Sequence, residues 1–326
     1  AALQSGADLV LELPAPYALR SAEGFASSAV SILSALGQVT DLSCGAEDAD
    51  TTALMELSGL LLEHKTVQDT LVHLRTGISY AAARERALYQ QVQEQAELLR
   101  KPNNILAIEY CKAILAQNSP MRPLPIRREG CYHDTAPDPE NPSATALRGL
   151  ILNEQDWTSY IPAEVYDLFA GATVHTLSVG ERAILARLRT MTDAEFEALP
   201  YGSEGLWRKL MHAARREATL EQIATATKSK RYTRSRIDRM VMCAFLGITR
   251  EQMEQPAPYV RVLAFNDRGR EILKKARATG LFPNAGEAVD HSFQQLENRC
   301  SDLYGLFAQV PEAPGAEANY RVFYQK

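Results

Sequence analysis

The sequence predicts an α/β domain built on a parallel sheet, followed by a mostly helical domain. Three observations carry this. Two short apolar strand patterns, at residues 8–13 and 39–44, flank a helical pattern over 21–36. Residues 49–116 repeat Leu and Ala at spacings of three and four with few breakers. From about residue 176 onward the helical pattern is almost continuous. The expected domains are therefore residues 1–175, with 49–116 as a helical insertion, and residues 176–326.

Each element has a local reason. Ala1-Ala2-Leu3-Gln4-Ser5-Gly6 reads as the last turn of a helix, stopped by Gly6. Asp8-Leu9-Val10-Leu11-Glu12-Leu13 reads as a strand closed by Pro14. The next helix, rich in small residues, stops at Gly37, and Val39-Thr40-Asp41-Leu42-Ser43-Cys44 is a second strand ending at Gly45. Strand, helix and strand in this order predict a βαβ unit with a right-handed crossover. A two-stranded parallel sheet is unstable alone, so further strands are required. Arg100-Lys101-Pro102-Asn103-Asn104 interrupts the helical insertion, which resumes over 105–117, and Pro123-Leu124-Pro125-Ile126-Arg127 is a short strand. A loop rich in Pro and Asp then leads to Asn141-Pro142 and a helix start.

Composition bounds the function. Hydrophobic residues make up 46% and charged residues 23% of the 326 positions, which is globular rather than disordered. No apolar run approaches the roughly 18–20 residues needed to cross a bilayer, and the N-terminus has no signal-peptide pattern. Cys44, Cys111, Cys131, Cys243 and Cys300 are scattered, with no C-x-x-C pair. That argues against a disulfide framework and a zinc site and fits a reducing cytoplasm. No metal-ligand cluster is visible. A net charge of −5 confines any nucleic-acid surface to a local patch.

Two segments carry chemistry. In Ser143-Ala144-Thr145-Ala146-Leu147-Arg148, two hydroxyls and a guanidinium fall where a loop becomes a helix. Free backbone N–H groups and the macrodipole favour an anion there, and Thr145 and Arg148 share a face. The plain alternative is a helix capped by Ser143 with a solvated arginine. The other segment holds six basic residues (Lys228, Lys230, Arg231, Arg234, Arg236, Arg239) and Tyr232 within twelve positions. It begins as a loop and runs into an apolar helix over 240–246. Lysine and arginine suit phosphates and Tyr232 suits base stacking; a solvated helix entry is the alternative.

Taken together, these stretches resemble the bacterial tRNA(Met) cytidine acetate ligases, nucleotidyltransferase-like proteins with a Rossmann-like domain. The resemblance runs in order through Gly6-Ala7-Asp8-Leu9-Val10-Leu11-Glu12-Leu13-Pro14, Ser21-Ala22-Glu23 with Phe25-Ala26, and Cys44-Gly45-Ala46-Glu47. It continues through Pro102-Asn103-Asn104-Ile105-Leu106-Ala107-Ile108-Glu109-Tyr110, Tyr132-His133-Asp134 and the Ser143 segment. In the second half it covers Glu204-Gly205-Leu206, Lys230-Arg231-Tyr232-Thr233-Arg234-Ser235-Arg236 and Tyr259-Val260-Arg261-Val262-Leu263.

The resemblance implies that ATP and acetate give an acetyl-adenylate, which then acetylates the wobble cytidine of elongator tRNA(Met). It implies ATP contacts at Gly45, at Asn103 or Asn104, at Arg128 or neighbouring Arg127, and at Ser143, Thr145 and Arg148. Plain alternatives are a strand-end turn at Gly45, an N-cap role for the asparagines and solvated arginines. His133-Asp134 offers an acid–base pair, although sequence neighbours often point apart and a structural role is expected. Mg²⁺ arriving with ATP is expected, held largely by phosphates and water.

The family's His-x-Gly-His motif and a following basic, glycine-rich segment lie upstream of the match to Ala1 and do not occur in the 326 residues. The expectation is thus a shortened chain with an incomplete sheet, its catalytic residues unassigned. A non-catalytic tRNA-binding remnant and a small-metabolite adenylyltransferase are the competing readings; the basic segment weighs against the latter.

Overall fold

A computed structural model describes residues 1–128, 137–138, 142–169, 171–276, 279–283 and 292–326. The chain opens with a single turn in which the Ala7 N–H reaches the Ala2 carbonyl and Gly6 takes φ +100°, a backbone that suits glycine. Strand β1 (Leu9–Leu11) and the short helix α1 (Ala15–Ala18) follow. Helix α2 (Ala22–Ala35) ends before Gly37, which takes φ +70°. Strand β2 (Asp41–Ala46) leads into α3 (Thr51–Leu62), whose first N–H groups bond the Asp50 carboxylate. The insertion continues with α4 (His64–Leu74), α5 (Tyr80–Val92) and a 3₁₀ segment before α6 (Pro102–Ala116). The interruption expected at residues 100–104 is where α6 begins.

Strand β3 (Arg122–Arg127) pairs in parallel with β2, Asp41 against Arg122 through Ala46 against Arg127. Pro123 and Pro125 lack N–H groups, and both have the same parity. The even-numbered ends Arg122 and Arg128 donate to Thr40 and Ala46, so the missing donors fall on the side away from β2. After α7 (Ala144–Leu152) and α8 (Tyr166–Phe169), the second half is a succession of helices. These are α9 (Leu177–Thr190), α10 (Asp193–Ala198), α11 (Leu206–Ala214), α12 (Leu220–Thr227), α13 (Arg234–Leu246) and α14 (Arg250–Glu254). Capping boxes start α10, α12 and α14, and Gly247 at φ +68° ends α13. Strand β4 (Val262–Phe265), α15 (Asp267–Ala276), α16 (Ser292–Tyr304) and β5 (Phe323–Tyr324) complete the chain.

The sheets correct two expectations. The expected βαβ unit is not one sheet: β2 pairs with β3, whereas β1 pairs antiparallel with β4, Leu9 opposite Phe265 and Val10 opposite Ala264. β4 in turn lies parallel to β5. The first strand therefore has a neighbour supplied by the second half, within a stretch whose pattern predicts helix. Four apolar residues are too few for a period of 2 or 3.6 to declare itself.

Packing also crosses position 175/176. Tyr17 is buried in a core with Ile184, Leu188, Phe196, Leu206 and Met240, and Ile32 and Leu36 share another with Val260 and Phe282. The insertion has its own core, where Leu54, Leu57, Leu88 and Ile108 are buried with Ala46 of β2. Helix α6 packs against α2 and α3 and is buried on most of its circumference.

Candidate nucleotide site and basic segment

Because β2 and β3 run parallel, Gly45-Ala46 and Arg127-Arg128 end at the same edge. Ligands of α/β sheets gather outside the carboxyl ends of parallel strands. Gly45 pairs with Ile126, and a Cβ built on it meets nothing within 4 Å. The protein's own packing does not demand this glycine; its bareness leaves room beside the strand end. Arg127 and Arg128 are exposed, and neither guanidinium is ion-paired among the described residues. The Arg128 backbone N–H donates to Ala46 O at 2.8 Å, extending the ladder one residue beyond the strand.

Asn103 and Asn104 stand at the start of α6, beside the same edge. The Glu47 carboxylate accepts from Asn103 N–H at 3.1 Å, Asn103 Nδ2 at 2.9 Å and Asn104 N–H at 2.8 Å. A carboxylate on free N-terminal N–H groups satisfies them and complements the macrodipole. The N-cap expectation for the asparagines is thereby corrected. Lys101 occupies the N-cap position without a side-chain cap, and Glu47 does the capping.

Asn104 is fully buried. Its Nδ2 donates to Asp48 Oδ2 at 2.8 Å and its Oδ1 accepts from Asp48 N–H at 3.0 Å. With a bond to Asp48 at each end of its amide, Asn104 fixes the turn after β2. Lys101 Nζ donates to the same Asp48 oxygen at 2.7 Å. That bond, then the one from Asn104, holds the Asp48 carboxyl below its usual range. Asn103 is partly exposed, and its Oδ1 is unbonded among the described residues, so it is the asparagine that faces outward.

Ser143 is the N-cap of α7, its Oγ accepting from Ala146 N–H at 3.0 Å. Thr145 and Arg148 are exposed on the face the spacing predicts. No hydrogen bond or ion pair among the described residues joins them to Gly45, Arg127 or Arg128. The expected His133-Asp134 pair lies outside the described residues, as do Cys131 and Asn141.

The basic segment differs from its sequence expectation. Helix α13 begins at Arg234, so Arg234, Arg236 and Arg239 are helical rather than in the approach loop. Most of the arginines are engaged. Arg231 bonds the Glu204 carboxylate through Nε at 3.1 Å and Nη2 at 2.6 Å. Arg234 bonds Asp238 and Glu221 at 2.7–2.8 Å. Arg236 donates to Tyr201 O at 3.0 and 2.9 Å, and Arg239 lies 5.4 Å from the Tyr201 ring centroid. Tyr232 is under Arg236, with its hydroxyl donating to Glu204 O, so its expected role as a free stacking platform is corrected. Lys228 and Lys230 are exposed and have no ion pair among the described residues.

Reading the sequence alone misses Glu47, Asp48 and Glu204 as organisers of these sites. The signals were faint: Glu47 follows Gly45 by two residues, and Glu204 precedes Gly205. Among the described residues, no cluster of three His, Cys, Asp or Glu side chains suits a metal, and no helix is long and apolar enough to cross a membrane.

The model of the HIGH Nucleotidyl Transferase family matches residues 1–317. The tRNA(Met) cytidine acetate ligase of Clostridium acetobutylicum is 30% identical over 316 residues, covering 91% of this chain and 78% of that protein. The one from Alkaliphilus metalliredigens is 34% identical, covering 94% and 80%. Among solved structures, Thermotoga maritima TmcAL bound with alpha-thio ATP superposes with a TM-score of 0.86 at 26% identity, covering 100% of this chain and 86% of that one. Its apo form gives 0.88. The chain belongs to the tRNA(Met) cytidine acetate ligase family, a nucleotidyltransferase-like family of ATP-dependent ligases.

Proposed function

We propose that the chain, together with the His-x-Gly-His segment that its 326 residues do not contain, activates acetate with ATP as an acetyl-adenylate and transfers the acetyl group to the exocyclic amine of the wobble cytidine of elongator tRNA(Met). The observation that carries the nucleotide half is the bare strand end at Gly45 beside two arginines with no ion pair among the described residues. The names of the relatives and the alpha-thio ATP of the Thermotoga structure support the substrates.

Acetate attack at the α-phosphorus builds charge on phosphate oxygens. Positive groups already in place stabilise that charge without reorganising. Arg127 and Arg128 fill this role at the strand end, with Asn103 on the adenosine or ribose. Ser143 orders the start of α7, whose N–H groups, Thr145 and Arg148 face an anion. Among the described residues, the carboxylates nearest the strand end do not fit a dedicated Mg²⁺ cage: Glu47 is spent on three N–H donors, and Asp48 on Lys101 and Asn104. Magnesium accompanying ATP is held by phosphates and water. Lys228 and Lys230 meet the RNA backbone, and the more firmly paired arginines shape the surface around them.

The test is incubation of the chain, joined at its N-terminus to a His-x-Gly-His segment, with α-labelled ATP and acetate, followed by chromatography for acetyl-AMP. The expected result is acetate-dependent acetyl-AMP, lowered about tenfold or more by Arg128→Ala, an effect typical of a lost charge-stabilising group. ATP left intact, with tRNA still bound, supports a binding module instead and overturns the ligase reading.

A further inference from the structure

The connection between α4 and α5 faces the loop before α11 across a cavity of about 240 Å³. Leu74, Ile78 and Tyr80 line it from the insertion, and Ser203, Glu204 and Arg231 from the second half. The volume lies below the roughly 300–1,000 Å³ of pockets for drug-sized ligands. It suits one flat ring.

The loop is built under strain. Tyr201 at φ 65° and Glu204 at φ 62° both take the left-handed backbone, at a cost of about 1 kcal/mol or more each. Specific bonds hold it. Arg236, which also lines the cavity, donates to Tyr201 O and to Ser203 Oγ, and the Tyr232 hydroxyl donates to Glu204 O. The outcome is a Glu204–Arg231 fork fixed at the cavity. Two of the five Arg231 N–H donors are used on Glu204, and the other three have no partner among the described residues. The bonds from Arg231 keep the Glu204 carboxyl below its usual range, so it stays an acceptor.

The opposite wall is equally fixed. Tyr80 is half exposed, and the Arg84 guanidinium lies 5.5 Å from its ring centroid. Arg84 is itself buried on Glu109.

A wall with one anionic acceptor beside guanidinium donors, facing an aromatic ring, matches the edge and face of cytosine. Its N4 amine donates to a carboxylate, N3 and O2 accept from arginine, and the ring stacks. Uracil presents an oxygen where cytosine presents N4, so Glu204 repels it. We propose that this cavity reads one unstacked cytosine of a bound RNA, with the ring on Tyr80 and the Watson–Crick edge on Glu204 and Arg231. The proposal rests on the RNA-binding reading above.

The test is fluorescence anisotropy with the full chain and labelled oligo(C) and oligo(U) RNA of equal length at fixed salt, alongside elongator tRNA(Met). The expected preference for oligo(C) is about tenfold, from one base-edge contact. Glu204→Gln should bring that ratio to within about twofold while oligo(U) affinity holds. Tyr80→Leu, at an exposed position that leaves the strained loop untouched, should weaken oligo(C) binding about fivefold or more through lost stacking. Equal affinities for the two oligomers, or an unchanged affinity in Tyr80→Leu, overturn the pocket. If tRNA(Met) still binds in that case, the RNA reading stands; if no RNA binds at all, both fall.

Discussion

Arg84–Glu109 and Arg231–Glu204 pair the same two residue types in opposite settings. The first lies in the interior between α5 and α6, with side chains 9% and 1% exposed, and continues through Lys112 to Glu23 on α2. The second stands at the surface with 42% and 39% exposed. Burial makes the first pair all or none: each charge lost its water on folding, and removing one partner strands the others. Water screens the second, whose net worth is small. One pair locks α2, α5 and α6 together; the other stands open at the surface.

The sharpest way to break this contrast is Glu109→Ala. It strands Arg84, leaves Lys112 with Glu23 alone, and should cost about 3–5 kcal/mol, read by denaturant unfolding. A cost below about 1 kcal/mol would mean that the pair behaves like a surface one. Asn104→Ala comes next. Losing two hydrogen bonds to Asp48 in a buried turn should cost about 2 kcal/mol, and weakened ATP binding should accompany it.

Glu297 extends the comparison to a buried carboxylate with no ion pair among the described residues. Its Oε1 accepts from the Ala15 N–H at 3.2 Å. Burial first, then the Glu12 carboxylate, pushes its pKa from 4.5 up to about 7. The native state thus holds this proton more tightly than the unfolded chain. The resulting stabilisation is full below about pH 4.5 and lost as pH rises through about 7. Glu297→Gln should therefore match the parent in acid and exceed it by roughly 3 kcal/mol above neutrality. Identical pH–stability curves would show that the carboxylate is not buried in this sense.

Smaller effects belong to the basic segment. Lys228→Ala with Lys230→Ala should weaken tRNA binding several-fold and flatten the dependence of log K on log salt by about 1–2, one phosphate contact per lysine. Arg234→Gln, whose guanidinium is held by Glu221 and Asp238, should change affinity by less than about twofold. The reverse ranking would mean that RNA displaces those carboxylates.

These contrasts mark what a sequence can show. Gly37 and Gly247 end their helices because they take a positive φ, a local property with a local signature. Ser143 caps α7 as its type and position predict. Gly45 and Arg128 were reached through resemblance, and the bare strand end accommodates both. Pairing across distance was not legible. Nothing near Leu9 foretells Phe265, and nothing near Arg231 shows that Glu204 will neutralise it. The resemblance offered Asn103 or Asn104 without showing that Asp48 bonds both ends of the Asn104 amide. The carboxylates that engage Arg231 and Arg234 were likewise not legible from the basic segment itself.

Incubation of the chain, joined at its N-terminus to a His-x-Gly-His segment, with elongator tRNA(Met), ATP and acetate, followed by nuclease digestion and mass analysis of the nucleosides, decides the functional conclusion. N4-acetylcytidine should form at the wobble position, with one AMP released per acetyl group. Unmodified cytidine with ATP intact, from a chain that binds both ligands, would contradict it.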